Sequence, residues 1–475
     1  MTLGAPGVRA LLVHIAVSCA VGWLFVAGIA TERALLLAVI IVAAPLPILI
    51  RVVQRNFDPF EPLILLSVAF SVMFVVRPIA HLVADDMHVR GISIEVGFDR
   101  ALLIAVVGVL ATYVGYAVPV RRRERHSRPS LAFPADRVLI AALSLLVSAV
   151  GLFVLFALEV GGLRIALQLL GGRRFDDDQF YAPASAYFYL GPFLSIPATL
   201  LLLEAANVRR RPALLVLAVA AAISIVFITA GRGDRLWLLV LFGSVIVLRY
   251  LRQGSRPRGV HVLIATTVLF FIFITFLRES RTIETQTGSR TEVLVTTLRS
   301  PEDGLRDLVL GPDTEMFSVL ALVGEVVPQY RPHEPGSSVI TLMTEWIPRE
   351  LFAGKPDTAD LKIYALLFPD QYQRTKLGTA PSIFGGFYYD SGLVGVAIGG
   401  FAIGLIGRWM FELGRRSWNT PQGRLLYAAS LPLVVILARG NPTDTLARVA
   451  YVVVPLWLAL RYIGRGHEGR NSTSR

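Results

Sequence analysis

The chain has 475 residues, of which 54% are hydrophobic and only 17% are charged. This balance is too apolar for a water-soluble protein of this length and predicts an integral membrane protein. The net charge of +12 does not indicate nucleic-acid binding, because the basic residues lie in short stretches between apolar runs. The single cysteine, Cys19, lies within the first apolar run, which excludes a disulfide framework and a cysteine metal site.

Apolar runs long enough to cross a hydrocarbon core of about 30 Å recur along almost the whole sequence. The first begins near Arg9 without a cleavage site behind a short apolar core, so we predict that it is retained as a span. The runs predict an all-α polytopic membrane protein with about twelve transmembrane helices. The predicted spans lie near residues 9–30, 34–50, 62–84, 100–118, 137–158, 184–205, 212–230, 234–248, 259–277, 391–411, 424–438 and 447–463. An alternative with ten spans, in which some short runs are re-entrant, leaves the largest loop on the same side.

The connections between these spans fall into two alternating sets that differ in charge. One set is rich in arginine and poor in acids, as in RRRERHSR (121–128) and NVRRRP (207–212). The other set balances its arginines with carboxylates, as in residues 85–100 and 159–183. Because lysine and arginine near span ends favour the cytoplasm, the first set and both termini are predicted to be cytoplasmic. The second set, which includes the longest connection, is then outside.

The longest connection, residues 278–390, is predicted to be a large and partly helical outer loop. Apolar residues at helical spacing in 313–328 predict a helix on the membrane surface or capping the bundle. A second helical run after Gly336 should end at Pro348, in a bend that carries Arg349 and Lys355. The predicted organisation is a bundle of about nine spans over 1–277, the outer loop over 278–390, the last three spans over 391–463 and a basic cytoplasmic tail over 464–475.

Four clusters of charged residues lie at predicted span ends on the outer side. Charges at this depth are costly unless they face a cavity or a partner. Since the guanidinium fork matches phosphate oxygens, several arginines that converge on one outer cavity would bind a diphosphate. Snorkelling or local ion pairing can explain each cluster singly. The clusters are Arg232 and Arg235 in TAGRGDRLW (229–237), Arg278 and Arg281 in FLRESR (276–281), Arg173 and Arg174 before three aspartates, and Arg439 with Asn441 and Asp444.

Several short motifs follow one another between residues 160 and 410. A G-R-G hinge (231–233) and an R-x-x-R span end (278–281) precede the long loop. Within or just after the loop come I-P-R-x-L-F-x-G-K-P (347–356), T-x-P-S (379–382) and G-L-x-G (392–395), the first being the most specific. In this order the motifs resemble those of the bacterial oligosaccharide repeat unit polymerases, the O-antigen (Wzy-type) polymerases.

The resemblance implies transfer of a growing glycan from undecaprenyl diphosphate onto a lipid-linked repeat unit, at the outer face of the cytoplasmic membrane. It implies O-antigen, capsule or exopolysaccharide biosynthesis, with no cofactor, and with membrane lipid, a flippase and a chain-length regulator as expected partners. Fixed cations would stabilise the leaving diphosphate, and a carboxylate would accept the proton of the attacking hydroxyl. The cation candidates are Arg173, Arg232, Arg235, Arg278, Arg281, Arg349, Lys355 and Arg439, and the carboxylate candidates are Glu279, Glu345 and Asp390.

Other hypotheses remain open at this point. An O-antigen ligase usually carries a histidine just before its glycine-rich span, where this chain has Thr379 and Ala380, and His333 lies too early to replace it. A metal-dependent glycosyltransferase would place paired acids in its first outer loop, which here reads ATER (30–33), so we predict no metal. A transporter or flippase would show repeated halves or charges at mid-membrane. The nearest such charge is Arg77.

Overall fold

The computed structural model is almost entirely helical over the residues that it describes. These are residues 31–120, 134–166, 191–232, 235–254, 310–311, 314–344, 352, 354–375, 378, 380–440 and 442–465. The strand structure within these ranges is a two-residue antiparallel ribbon, in which His88 pairs with Ser93 and Val89 with Ile92. The all-α fold class is therefore confirmed.

The first half of the chain contains nine described helices. They are α1 Glu32–Ala43, α2 Leu46–Val53, α3 Pro62–Ser71, α4 Arg77–Ala84, α5 Glu95–Ala117, α6 Ala135–Glu159, α7 Ser195–Arg209, α8 Pro212–Arg232 and α9 Arg235–Gln253. A π-helical segment, Val72–Val76, joins α3 to α4, and a 3-10 turn, Gly191–Leu194, leads into α7. The strands β1 His88–Val89 and β2 Ile92–Ser93 lie between α4 and α5.

The second half contains seven described helices. They are α10 Met316–Val326, α11 Ser337–Thr344, α12 Ala359–Leu367, α13 Pro369–Thr375, α14 Ser382–Ser417, α15 Pro421–Arg439 and α16 Pro442–Arg465. Helix α14 is broken at Ser391 and Gly392, where the φ of Gly392 is +62°. A left-handed φ suits glycine, which has no Cβ to clash. The span predicted to begin at residue 391 therefore starts at this break. The helical segment before the break, residues 382–390, was not predicted.

Eight helical segments of the described chain are long and apolar enough to cross a membrane. They are Glu32–Val53, Pro62–Ala84, Glu95–Ala117, Asp136–Glu159, Gly191–Arg209, Leu236–Gln253, Ser382–Ser417 and Pro421–Arg439. Each overlaps a predicted span, and α8 and α16 lie over two more. The predicted spans near 9–30 and 259–277 lie outside the described residues, so the total of twelve stays a prediction.

Close contact between α5 and α14 forms the centre of the bundle. A Cβ built on Gly404 would lie 1.9 Å from the carbonyl oxygen of Thr112, and one on Gly115 would lie 2.0 Å from that of Phe401. The two backbones therefore touch where both helices carry glycine, as small residues allow in membrane helices.

Replacing Gly404 by alanine should destabilise the protein by about 2–3 kcal/mol, because the new methyl group meets rigid backbone. The matched control is Gly386→Ala on the same helix, since a Cβ there meets nothing within 4 Å. The control should be neutral or slightly stabilising. Thermal unfolding in detergent measures both. Equal midpoints for the two variants would show that the α5–α14 contact is looser than described.

Helix α10 lies inside the bundle and does not lie on its surface. Every residue from Met316 to Gly324 is buried, and the helix packs against α5 and α14. A Cβ on Gly97 would lie 1.9 Å from the carbonyl oxygen of Ala321, so α10 rests directly on the first turn of α5. The predicted helix is therefore present, but it is buried among the other helices and does not lie on the membrane surface.

The described connections gather at two ends of the bundle. At one end, Arg100 near the start of α5 donates to the carbonyl of Gly324 at 2.7 Å. We call this the loop end, because the 314–344 segment lies there. At the other end, Tyr116 near the end of α5 donates to Glu61 at 2.9 Å. We call this the opposite end.

The opposite end holds a fully buried carboxylate between two arginines. Glu204 in α7 is 0% exposed. Its Oε2 accepts from Arg252 Nε at 2.5 Å, and its Oε1 accepts from Arg424 Nη2 at 3.0 Å. These side chains come from α7, α9 and α15, so this triad ties three helices together. A buried charge is tolerated only with such partners.

Candidate functional site

A bidentate ion pair joins the β1–β2 turn to the start of α10 at the loop end. Arg90 Nη2 lies 2.5 Å from Glu315 Oε1, and Arg90 Nε lies 3.1 Å from Glu315 Oε2. The guanidinium also lies over the rings of Tyr364 and Phe368. Burial lowers the pKa of Arg90, but the charge and hydrogen bonds of Glu315 outweigh it, so the pKa is raised. Arg90 is a fixed cation that links three separate segments.

Arg77 lies beside this pair, at the end of the second described span, and is 2% exposed. Its guanidinium donates to the carbonyl of Gly311 at 3.1 Å, to Thr314 Oγ1 at 3.2 Å and to Ser318 Oγ at 3.2 Å. A π-helical segment ends directly before Arg77, and Pro78 follows it in the first turn of α4. Arg77 therefore binds the segment that leads into α10.

His81, one turn after Arg77, completes this network as a neutral side chain. Its Nδ1 lies 2.5 Å from the carbonyl oxygen of Asp86, which can only accept, so Nδ1 carries the proton. Its Nε2 is then free to accept from Arg77 Nε at 3.0 Å. The tautomer is thus fixed by its neighbours.

A second polar cluster at the loop end is centred on Glu334. Its carboxylate accepts from Lys362 Nζ at 2.6 Å, from Arg331 Nη2 at 2.7 Å and from the Tyr389 hydroxyl at 2.8 Å. Partial burial raises the pKa of Glu334, but these three donors together lower it to about 2. We call these four residues the Glu334 cluster. It holds the loop segment 331–337 against α12 and α14.

Strong acid should loosen this cluster. Because the folded-state pKa of Glu334 lies below its ordinary value of 4.5, the carboxylate contributes stability above that pH. The contribution is lost as the pH falls from about 4.5 towards about 2. Glu334→Gln should lower stability at neutral pH and remove the part of the acid dependence that lies in this window. Unfolding midpoints measured against pH for both proteins test this, and parallel profiles would contradict it.

Asp390, a predicted catalytic residue, lies in the last turn before the break in α14. Its Oδ1 accepts from the backbone N–H of Ser338 at 3.1 Å, which caps the first turn of α11. The ring of His333 lies next to the same break, 3.1 Å from the position of a Cβ on Gly392 and edge-on to Tyr388. The break, the cap and His333 thus form one corner of the loop end.

The cap makes a specific prediction for Asp390. If Asp390 acts as a cap, Asp390→Asn should keep activity, because asparagine is an equally good cap, whereas Asp390→Ala should cost about 1 kcal/mol of stability. Unfolding midpoints and elongation rates of both variants measure this. A loss of about a hundredfold in the asparagine variant would assign proton transfer to Asp390 instead.

Three of the predicted cations, Arg232, Arg235 and Arg439, lie where α8, α9 and α15 meet the loop end. Arg252 at the end of α9 contacts Glu204 at the opposite end, so α9 starts at the loop end. The backbones of Arg232 and Arg235, which end α8 and begin α9, are consequently placed there. Arg439 ends α15 and is half-buried at the same end.

A buried arginine that sequence reasoning missed lies next to these positions. Arg448 in α16 is 6% exposed, and its guanidinium lies 5.3 Å from the ring centroid of Trp237 in α9. Trp237 stacks on Phe193, with centroids 3.7 Å apart and planes 6° from parallel. A charge buried at a span end was the signal that could have identified Arg448.

The structure thus gives side-chain positions for three predicted site residues. These are Asp390, Lys355 and Arg439, of which Lys355 lies in a turn closed by its backbone N–H and the carbonyl of Phe352 at 3.0 Å. For Arg232 and Arg235 it places the backbone only. Helix α11 packs against both α14, which carries Asp390, and α16, which carries Arg448. The predicted residues outside the described ranges are Arg173, Arg278, Glu279, Arg281, Glu345 and Arg349.

Comparison with known families decides the identity of the bundle. A family model described as O-antigen polysaccharide polymerase Wzy matches residues 13–465, nearly the whole chain. The chain belongs to this family. Curated proteins and solved structures gave no match. The resemblance noted from the motifs is confirmed, and the match extends well beyond residues 160–410.

Membership of the Wzy family, together with the apolar helices, establishes a multi-pass membrane protein of polysaccharide biosynthesis. Wzy proteins are polymerases that act on lipid-linked oligosaccharide repeat units. The loop end carries arginines and a lysine whose charged groups contact carboxylates, aromatic rings and backbone carbonyls. Arg90, Glu315, Arg331, Glu334 and Lys362, which form the described ion pairs at this end, were not among the predicted site residues.

Proposed function

We propose that this Wzy-family protein elongates a glycan at its loop end, which faces outwards from the cytoplasmic membrane. The growing glycan passes from undecaprenyl diphosphate onto the next lipid-linked repeat unit, for O-antigen, capsule or exopolysaccharide biosynthesis. The observation that carries the proposal is the family match over residues 13–465. The cations at the loop end support the placement of the site.

The proposed reaction needs charge stabilisation more than any other assistance. A hydroxyl of the acceptor sugar attacks the anomeric carbon of the donor glycan, the bond from that carbon to the diphosphate oxygen breaks, and undecaprenyl diphosphate leaves with the electron pair. Fixed cations stabilise the negative charge that develops on the leaving oxygen. The proposed diphosphate ligands are Arg173, Arg232, Arg235, Arg278, Arg281, Arg349, Lys355 and Arg439.

The proton of the attacking hydroxyl passes to a carboxylate in this proposal. Glu279 and Glu345 are the first candidates, by their place in the loop. Asp390 is the third candidate, because its Oδ1 already accepts a hydrogen bond from the first turn of α11. We propose further that no metal takes part, that both termini are cytoplasmic, and that a flippase and a chain-length regulator work beside the polymerase.

Reconstitution of the purified protein with undecaprenyl-diphosphate-linked repeat units tests this function. We expect a ladder of products that differ by one repeat unit, and an undiminished ladder in the presence of a metal chelator. Movement of the repeat unit between leaflets without elongation would support a flippase instead. Transfer of a single glycan to a different lipid acceptor, without a ladder, would support a ligase.

A further inference from the structure

Helix α11 has an apolar face turned outwards and a polar face turned inwards. Thr341 is 1% exposed, whereas Val339, Ile340 and Met343 are 53%, 54% and 72% exposed. A helix beside water shows the reverse pattern, because apolar side chains are then driven inwards. The exposed face of α11 therefore fits a hydrocarbon environment, although it belongs to a loop between spans.

Polar bonds fix this orientation at the first turn of α11. The Ser338 N–H is capped by Asp390, and Ser337 Oγ accepts from Lys362 Nζ at 2.9 Å. Lys362 is the same cation that binds Glu334. The apolar face thus starts directly beside the Glu334 cluster, which contributes the cations Arg331 and Lys362.

This combination matches an amphiphile with an anionic head and a long hydrocarbon tail. Helix α11 also packs against α16, whose outward residues Val454, Trp457 and Leu458 are exposed as on a lipid-facing span. The exposed apolar residues of α11 and those of α16 therefore lie on two helices that touch. A hydrocarbon chain that lies against α16 could extend onto α11.

Resting on the function proposed above, we infer that the Val339–Ile340–Met343 face of α11 binds the polyprenyl chain of the lipid-linked substrate. The chain lies along α11 and brings its diphosphate to the cations of the loop end. The contribution is hydrophobic and scales with the apolar area that the chain covers. The effect of this face on activity should therefore depend on the length of the polyprenyl chain. A purely structural role of α11 would give no such dependence.

The first test compares repeat units carried on undecaprenyl diphosphate with the same units on a short, water-soluble prenyl diphosphate. The triple variant V339T/I340T/M343Q replaces the apolar surface with polar side chains of similar size. We expect about a tenfold loss of kcat/KM with the long carrier and less than about a twofold change with the short one. The control V147T/V150T/V154T alters a similarly exposed face of α6 and should leave kcat/KM unchanged with both carriers. An equal loss with both carriers, or no loss with either, would overturn the inference.

The second test does not depend on elongation, so it separates failure of this inference from failure of the proposed function. A polyprenyl diphosphate with a photoreactive group on its chain is cross-linked to the full-length protein in vesicles. We expect label on residues 337–344, competed by unlabelled polyprenyl diphosphate and not by phospholipid. Competition by phospholipid would show that α11 contacts bulk lipid only, and label confined to the spans would equally overturn the inference.

Discussion

Replacing Arg232 or Arg235 by alanine is expected to lower the elongation rate by about a hundredfold or more, while the protein still folds. Removal of one fixed donor from a charge-stabilising site typically costs about 10²–10³ in kcat. The two residues end α8 and begin α9 at the loop end, next to Trp237 and the buried Arg448. Lysine at either position keeps the charge but loses the planar fork, so it should restore part of the rate.

The matched control for these variants is Arg211→Ala. Arg211 is exposed and lies between α7 and α8 at the opposite end. Its loss should leave elongation within about twofold of the wild type, since screened surface charges contribute little. Rates are measured from ladder formation, and folding from the unfolding midpoint. Equal effects at Arg211 and Arg232 would contradict a site at the loop end.

The largest expected effect on stability comes from Glu204→Gln. This change leaves Arg252 and Arg424 facing a neutral group that cannot balance their charge, and neither arginine is more than 19% exposed. Removal of one partner from a buried ion pair typically costs about 3–5 kcal/mol. The unfolding midpoint of the purified variant in detergent should fall accordingly. Elongation per folded molecule should stay unchanged, because the triad lies at the end away from the loop.

Two further variants separate charge balance from simple packing. Asp99→Asn breaks the Arg33–Asp99 pair, whose side chains are 29% and 40% exposed, and should cost less than about 1 kcal/mol. The double variant E204Q/R252Q removes one charge of each sign and should recover part of the loss caused by E204Q alone. No recovery would mean that Glu204 stabilises α7 by packing and not by its charge.

The sequence predicts the spans of this protein well, because the signal is local. Runs such as 62–84 and 137–158 are apolar over a membrane thickness, and helices lie over both. The break at Gly392 was seen only as the start of a span, because periodicity does not show that a helix precedes it.

The candidate site is harder to predict from the sequence than the spans, because its contacts join residues that are far apart in the chain. Arg90 binds Glu315, 225 residues later, and Arg77 binds Ser318, 241 residues later. Neither Arg90 nor Arg77 belongs to a group of charged residues that are neighbours in the sequence. Local sequence patterns carry no information about such distant partners. Glu334 resembles an ordinary loop acid until three donors surround it. Asp390 was identified by its location, but its capping bond to α11 depends on a fold that spacing alone does not give.

The central claim is that the chemistry takes place at the loop end, on cations that hold a lipid diphosphate. Elongation in vesicles containing the protein in one orientation tests it most directly, with lipid-linked repeat units supplied to one leaflet at a time. We predict a product ladder when the substrate lies in the leaflet that the loop end faces, and its loss in the Arg232→Ala variant. A ladder formed from substrate in the other leaflet, or one insensitive to Arg232, would contradict the account.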